Sequence, residues 1–120
     1  MFNEKDKLIF SYSSEQAENE GILFDITKIN PEWKQGLFNY VTTNLLSKGY
    51  MKKDSDEVNL PNLLDLLNQA MQIVKLKSKK FKEFDHFFNG AIEFPDGEKQ
   101  EIFISQNETG KFTIMLPEDY

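Results

Sequence analysis

The chain contains no cysteine. Disulfides, thiolate nucleophiles and cysteine-based zinc sites are excluded, in agreement with a reducing compartment. Arginine is missing too, so all fourteen basic residues are lysine. Without the planar guanidinium fork, the commonest tool for reading guanine or gripping phosphate with two parallel bonds is lost. Histidine occurs once, as His86, and the six glycines are scattered. None of them forms a G-x-x-x-x-G-K-[ST] or G-x-G-x-x-G phosphate cradle. No apolar run approaches the roughly 20 residues that cross a bilayer. The start, Met1-Phe2-Asn3-Glu4-Lys5-Asp6-Lys7, lacks the basic-then-apolar order of a signal peptide. The expected location is the cytoplasm, with no membrane contact.

What is present is enough for one core. A length of 120 residues suits a single domain over 1–120. Hydrophobic residues make up 39%, with eleven Phe and four Tyr against 28% charged residues, which predicts a globular chain. Twenty acidic residues against fourteen lysines leave a net charge of −6. Such a surface repels nucleic-acid phosphates and anionic lipid and attracts basic protein surfaces.

Residues 7–12 (KLIFSY) read as a strand that runs into a capping box, Ser13 with Gln16, and a short helix stopped by Gly21. Residues 22–26 (ILFDI) read as a second strand. Asn30-Pro31-Glu32 is a helix start, followed by a break at Gly36. Leu37, Tyr40, Val41 and Leu45 then have helical spacing, ending at Lys48-Gly49. Residues 50–58 read as a charged loop. Asn59-Leu60-Pro61 opens the clearest helix, over about residues 61–78, with Leu63, Leu67, Ala70, Met71 and Val74 as its buried stripe. Phe81, Phe84 and Phe88 continue the helical spacing. From Gly90 the period changes to two: Ile92 and Phe94, Ile102 and Ile104, and Phe112, Ile114 and Leu116 alternate with mostly polar neighbours. Pro95-Asp96-Gly97-Glu98 and Asn107-Glu108-Thr109-Gly110 are the turns between them. The expected fold is α+β, an antiparallel sheet built around a C-terminal three-stranded meander with helices packed on one face.

Candidate chemistry is sparse. His86 has Asp85 beside it but no nucleophile motif, and reads as a surface or partly buried structural residue. Asp54, Asp56 and Glu57 open like a calcium loop, yet Asn59 and Asp65 stand where its glycine and bidentate glutamate belong. Glu93, Asp96, Glu98 and Glu101 crowd one hairpin without the context of a glycosidase pair. No catalytic residue, cofactor or metal site is expected. Two binding surfaces remain. Glu15, Glu18 and Glu20, with Asp54, Asp56 and Glu57 and the hairpin carboxylates, offer phosphate-like charge to a basic partner; ordinary solubility charge accounts for the same residues. Lys75, Lys79, Lys80 and Lys82 interleave with Phe81 and Phe84 in the pattern that grips single strands. Lysines at a helix end and phenylalanines at core spacing account for that pattern as well.

Ile9-Phe10-Ser11-Tyr12, Glu15-Gln16-Ala17 and Gly21-Ile22-Leu23-Phe24-Asp25-Ile26, together with the ending Thr113-Ile114-Met115-Leu116-Pro117-Glu118-Asp119, resemble a family of small phage and plasmid proteins that carries no assigned function. The resemblance implies a mobile-element origin and brings no catalytic residues with it. By analogy with small acidic proteins of mobile elements, the expected role is a non-enzymatic binder that inhibits a host defence nuclease, of anti-CRISPR or anti-restriction type. The alternative is an accessory nucleic-acid or nucleotide binder using the lysine cluster, and an enzyme of unrecognised type stands third. Asp25, beside the end of the second strand, and Pro117-Glu118-Asp119, after the last one, read as strand-end residues that cap and terminate.

Overall fold

In a computed structural model of the protein, residues 21–53, 57–80, 87–108 and 110–120 are described. The expected strand over residues 7–12, the helix after Ser13, and His86 with its neighbours at 81–85 lie outside them.

Strand β1, Leu23–Asp25, ends where the Asp25 carboxylate accepts hydrogen bonds from the Thr27 N–H and hydroxyl, at 2.9 and 2.5 Å. Those bonds cap a 3-10 turn over Ile26–Lys28. Asn30 repeats the device, accepting from the Glu32 N–H at 3.0 Å, and Pro31 supplies a preset φ for a second 3-10 segment, Pro31–Gln35. That segment stops at Gly36, the residue at which a break is expected.

The chain beyond departs from expectation. Residues 38–42 form a strand, β2, Phe38–Thr42, and only Thr43–Leu46 is helical, as α1. Tyr40, Val41 and Thr42 favour the pleated conformation. Because β2 lies between two other strands and is buried on both faces, its residues do not alternate in polarity. A short run buried on both faces carries no period that separates it from a helix. Gly49, at φ +106, then turns the chain, and a Cβ there would press on Pro95 at 3.1 Å.

The long helix α2 spans Leu60–Lys80. Asn59 caps it, accepting at Oδ1 from the Asn62 N–H (3.3 Å) and at its carbonyl from the Leu63 N–H (2.9 Å). Its fully buried residues are Leu63, Leu66 and Ala70, with Leu67, Met71, Ile73 and Val74 half-buried around them. The expected stripe is therefore rotated: Leu66 belongs at its centre and Leu67 on its flank.

Three strands follow: β3, Phe87–Glu93; β4, Lys99–Gln106; and β5, Phe112–Met115. Gly97 (φ +90) and Gly110 (φ +83) sit in the two turns between them, and each strand pairs antiparallel with the next. The sheet is larger than a meander. Its order is β1-β2-β5-β4-β3, and β2 pairs parallel with β5, with an irregularity between Phe38 and Tyr40. The fold is thus α+β with a mixed, mostly antiparallel five-stranded sheet, and the last strand lies at its centre.

One face carries Val41, Phe88, Ile92, Ile102, Ile104, Phe112 and Ile114, packed in one core with Leu63, Leu66 and Ala70 of α2. The helix lies so close to β3 that a Cβ on Gly90 would meet Ile73 Cδ1 at 2.8 Å. The segment after β5 is held back against the sheet by Asp119. Its carboxylate accepts from the Thr42 hydroxyl and the Asn44 amide, each at 2.7 Å, and from the Leu116 N–H at 3.3 Å.

Candidate functional site

The turn joining β3 to β4 brings carboxylates to one end of the molecule. Asp96 Oδ1 accepts from the Glu98 N–H at 2.9 Å, and the Phe94 N–H donates to the Glu98 carbonyl at 2.8 Å, so the turn is closed by its own backbone. Glu93, Asp96 and Glu98 are left exposed.

The helix adds a fourth carboxylate. Gln69 Nε2 donates to Asp65 Oδ2 at 2.8 Å and to the Glu93 carbonyl at 2.9 Å, while Gln69 Oε1 accepts from the Glu93 N–H at 2.8 Å. One amide side chain thus ties Asp65 to the hairpin. Asp65 and Asp96 also converge on Tyr50, whose ring is fully buried and packs edge-on against Phe94 at 6.0 Å. Burial first, and then the negative charges of Asp65 and Asp96, push the Tyr50 phenol up to about 12. Its hydroxyl has no hydrogen-bond partner among the described residues.

Asp65, Glu93, Asp96 and Glu98 therefore form an exposed acidic end, and none of them is ion-paired among the described residues. Glu101 lies further along β4 and accepts from the Asn89 amide at 2.8 Å. Chemically, this end can attract a cationic surface and offer carboxylate acceptors. Among the described residues no cluster of three or more His, Asp or Glu could hold a metal ion.

Comparison with protein-family models, curated proteins and solved structures finds no match to this chain. The site therefore stands on geometry alone.

Of the acidic residues singled out from sequence, Glu15, Glu18, Glu20, Asp54 and Asp56 lie outside the described residues. Glu57 is described and is engaged by Lys52 Nζ at 3.0 Å. It borders a small hairpin in which Met51 bridges to Val58, where sequence suggests only a loop. Of the lysine set, Lys75 is exposed on α2, Lys79 and Lys80 fall in the last turn of that helix, and Lys82 lies outside the described residues. The hairpin carboxylates are visible in the sequence as a cluster. Asp65 and Gln69 are not, because 24 residues separate Gln69 from Glu93 and no local signal links them.

A second concavity lies between the 3-10 segment and α2. It holds about 190 Å³ and is lined by Ile26, Trp33, Leu37, Phe38, Leu67 and Met71, with the Asn68 amide and the Trp33 indole N–H as side-chain groups able to hydrogen-bond. Its walls can take an apolar group but supply no acid, base or nucleophile. No helix among the described residues is long and apolar enough to cross a membrane.

Proposed function

We propose that the protein is a non-enzymatic binder from a phage or plasmid. In this reading its acidic surface occupies a basic site on a host macromolecule, and the target class is a defence nuclease of CRISPR or restriction type. The observation that carries the proposal is the acidic end: Asp65, Glu93, Asp96 and Glu98, gathered from a helix and a hairpin, exposed and unpaired among the described residues. Nucleases hold nucleic-acid phosphates in basic grooves, and a run of carboxylates on a rigid support presents similar charge. The net charge of −6 acts in the same direction at longer range. The resemblance of both chain ends to small phage and plasmid proteins supports the origin.

The test is a pull-down from host lysate, read by mass spectrometry, with wild type and a variant carrying Asp65→Lys, Glu93→Lys, Asp96→Lys and Glu98→Lys. Wild type should retain a basic protein that the variant loses, and the retained protein should elute as salt rises. Retention of the same proteins by both baits would remove this surface from consideration. Retention of nucleic acid by wild type would favour the lysine cluster instead.

A further inference from the structure

The cleft between the 3-10 segment Pro31–Gln35 and α2 has fixed walls. The Gly36 N–H donates to the Trp33 carbonyl at 2.9 Å, and the Phe112 N–H donates to the Leu37 carbonyl at 3.0 Å, which ties this wall to β5. Leu67 and Met71, four residues apart on one side of α2, form the facing wall. Between them the cleft reaches Ile26 and Phe38, which are buried in the core. Trp33, Leu37, Leu67 and Met71 are only half-buried, so the cleft opens to solvent.

Three properties of the lining specify a guest. The first is size. The volume of about 190 Å³ is below the roughly 300 Å³ at which drug-sized pockets begin, and a little above the about 150 Å³ of an apolar cavity that takes one benzene ring. One ring with a small substituent fits. The second is the aromatic and sulfur character of the walls: Trp33 and Phe38 present rings and Met71 a thioether, which favour an aromatic guest over an aliphatic one of equal size. The third is polarity. The exposed Asn68 amide and the Trp33 indole N–H have no hydrogen-bond partner among the described residues, and together they offer donors and an acceptor to one hydroxyl. No titratable side chain lines the cleft, so an ionised guest would lose hydration without gaining a counter-charge.

We infer that the cleft is a binding site for a neutral phenol-type group, one aromatic ring carrying one hydroxyl. That chemistry has two sources, a free phenolic compound and a tyrosine side chain of a bound partner. The inference does not rest on the acidic end, because no carboxylate lines the cleft. Leu60 and Leu64, each 42% exposed, continue the row of Leu67 and Met71 back along α2. A tyrosine borne on a peptide chain covers those two leucines as well as filling the cleft, whereas a free phenol leaves them in water.

Trp33 is the only tryptophan, so its indole N–H gives a single nuclear magnetic resonance signal in the full chain. Phenol should shift that signal saturably, with a dissociation constant at or below about 1 mM. Benzene and cyclohexanol should bind about two- to tenfold more weakly, and benzoate at least about tenfold more weakly. Asn68→Ala, an exposed change, should close the gap between phenol and benzene and leave the melting temperature unchanged. Leu67→Phe, which puts a ring of the protein's own into the cleft, should abolish the shift. A capped tripeptide with a central tyrosine and p-cresol then separate the sources. Tighter binding of the tripeptide, with shifts at the Leu60 and Leu64 methyl groups, assigns the site to a partner's tyrosine, and tighter binding of p-cresol assigns it to a free phenol. No saturable shift up to about 10 mM phenol, equal affinities for all the probes, or phenol binding that neither substitution alters would overturn the inference.

Discussion

Tyr50 is a buried phenol with no hydrogen-bond partner among the described residues, and leaving such a group unsatisfied costs about 1–3 kcal/mol. Tyr50→Phe should therefore hold or raise stability in urea denaturation near neutral pH. The pH dependence adds a second signature. The folded-state value of about 12 stands above the ordinary 10, so as pH rises the unfolded chain loses this proton first. The stability is full below about pH 10 and falls between about 10 and 12, by at most roughly 1.4 kcal/mol per pH unit. The lysines titrate in the same range, so the measured quantity is the difference between wild type and Tyr50→Phe at about pH 9 and pH 11. The advantage of Tyr50→Phe over wild type should widen from about pH 9 to pH 11, and an advantage that does not widen would place the hydroxyl in water. Asp119 is the opposite case, a carboxylate accepting three hydrogen bonds. Asp119→Ala strands the buried Thr42 hydroxyl and should cost about 1–3 kcal/mol in the same denaturation assay.

The long helix tests how its faces are assigned. Leu66 is fully buried and Leu67 lines the Trp33 cleft. Leu66→Ala should cost about 2–5 kcal/mol, and Leu67→Ala less than about 2, by chemical denaturation. Equal losses would restore the stripe expected from sequence. What was legible in the sequence divides along physical lines. Helix α2 was readable because its cap, Asn59, and its period are local. The two hairpins from β3 to β5 were readable because alternation and glycine turns are local too. Strand β2 was not, because burial on both faces erased the alternation that marks a strand. The parallel pairing of β2 with β5 was not either, since about 70 residues separate the partners and nothing local records which strands meet. The candidate site follows the same division. Glu93, Asp96 and Glu98 stood out as a cluster, whereas Asp65 joined them only once α2 lay against β3.

Across the whole molecule, the sheet order governs stability. Strand β5 bonds β2 on one side and β4 on the other, so a chain cut after residue 111 loses the joint between two half-sheets. Such a chain should show no cooperative thermal transition by circular dichroism, whereas loss of an edge strand would only lower the midpoint. The same placement sets a timetable for synthesis. The ribosome releases β1, β2, β3 and β4 before the strand that unites them, so the early segments wait with their apolar faces wet. During that interval they are open to chaperones and to mispairing with one another. The core closes only when residues 112–115 emerge, which makes the order of translation, as much as distance along the chain, the clock for folding.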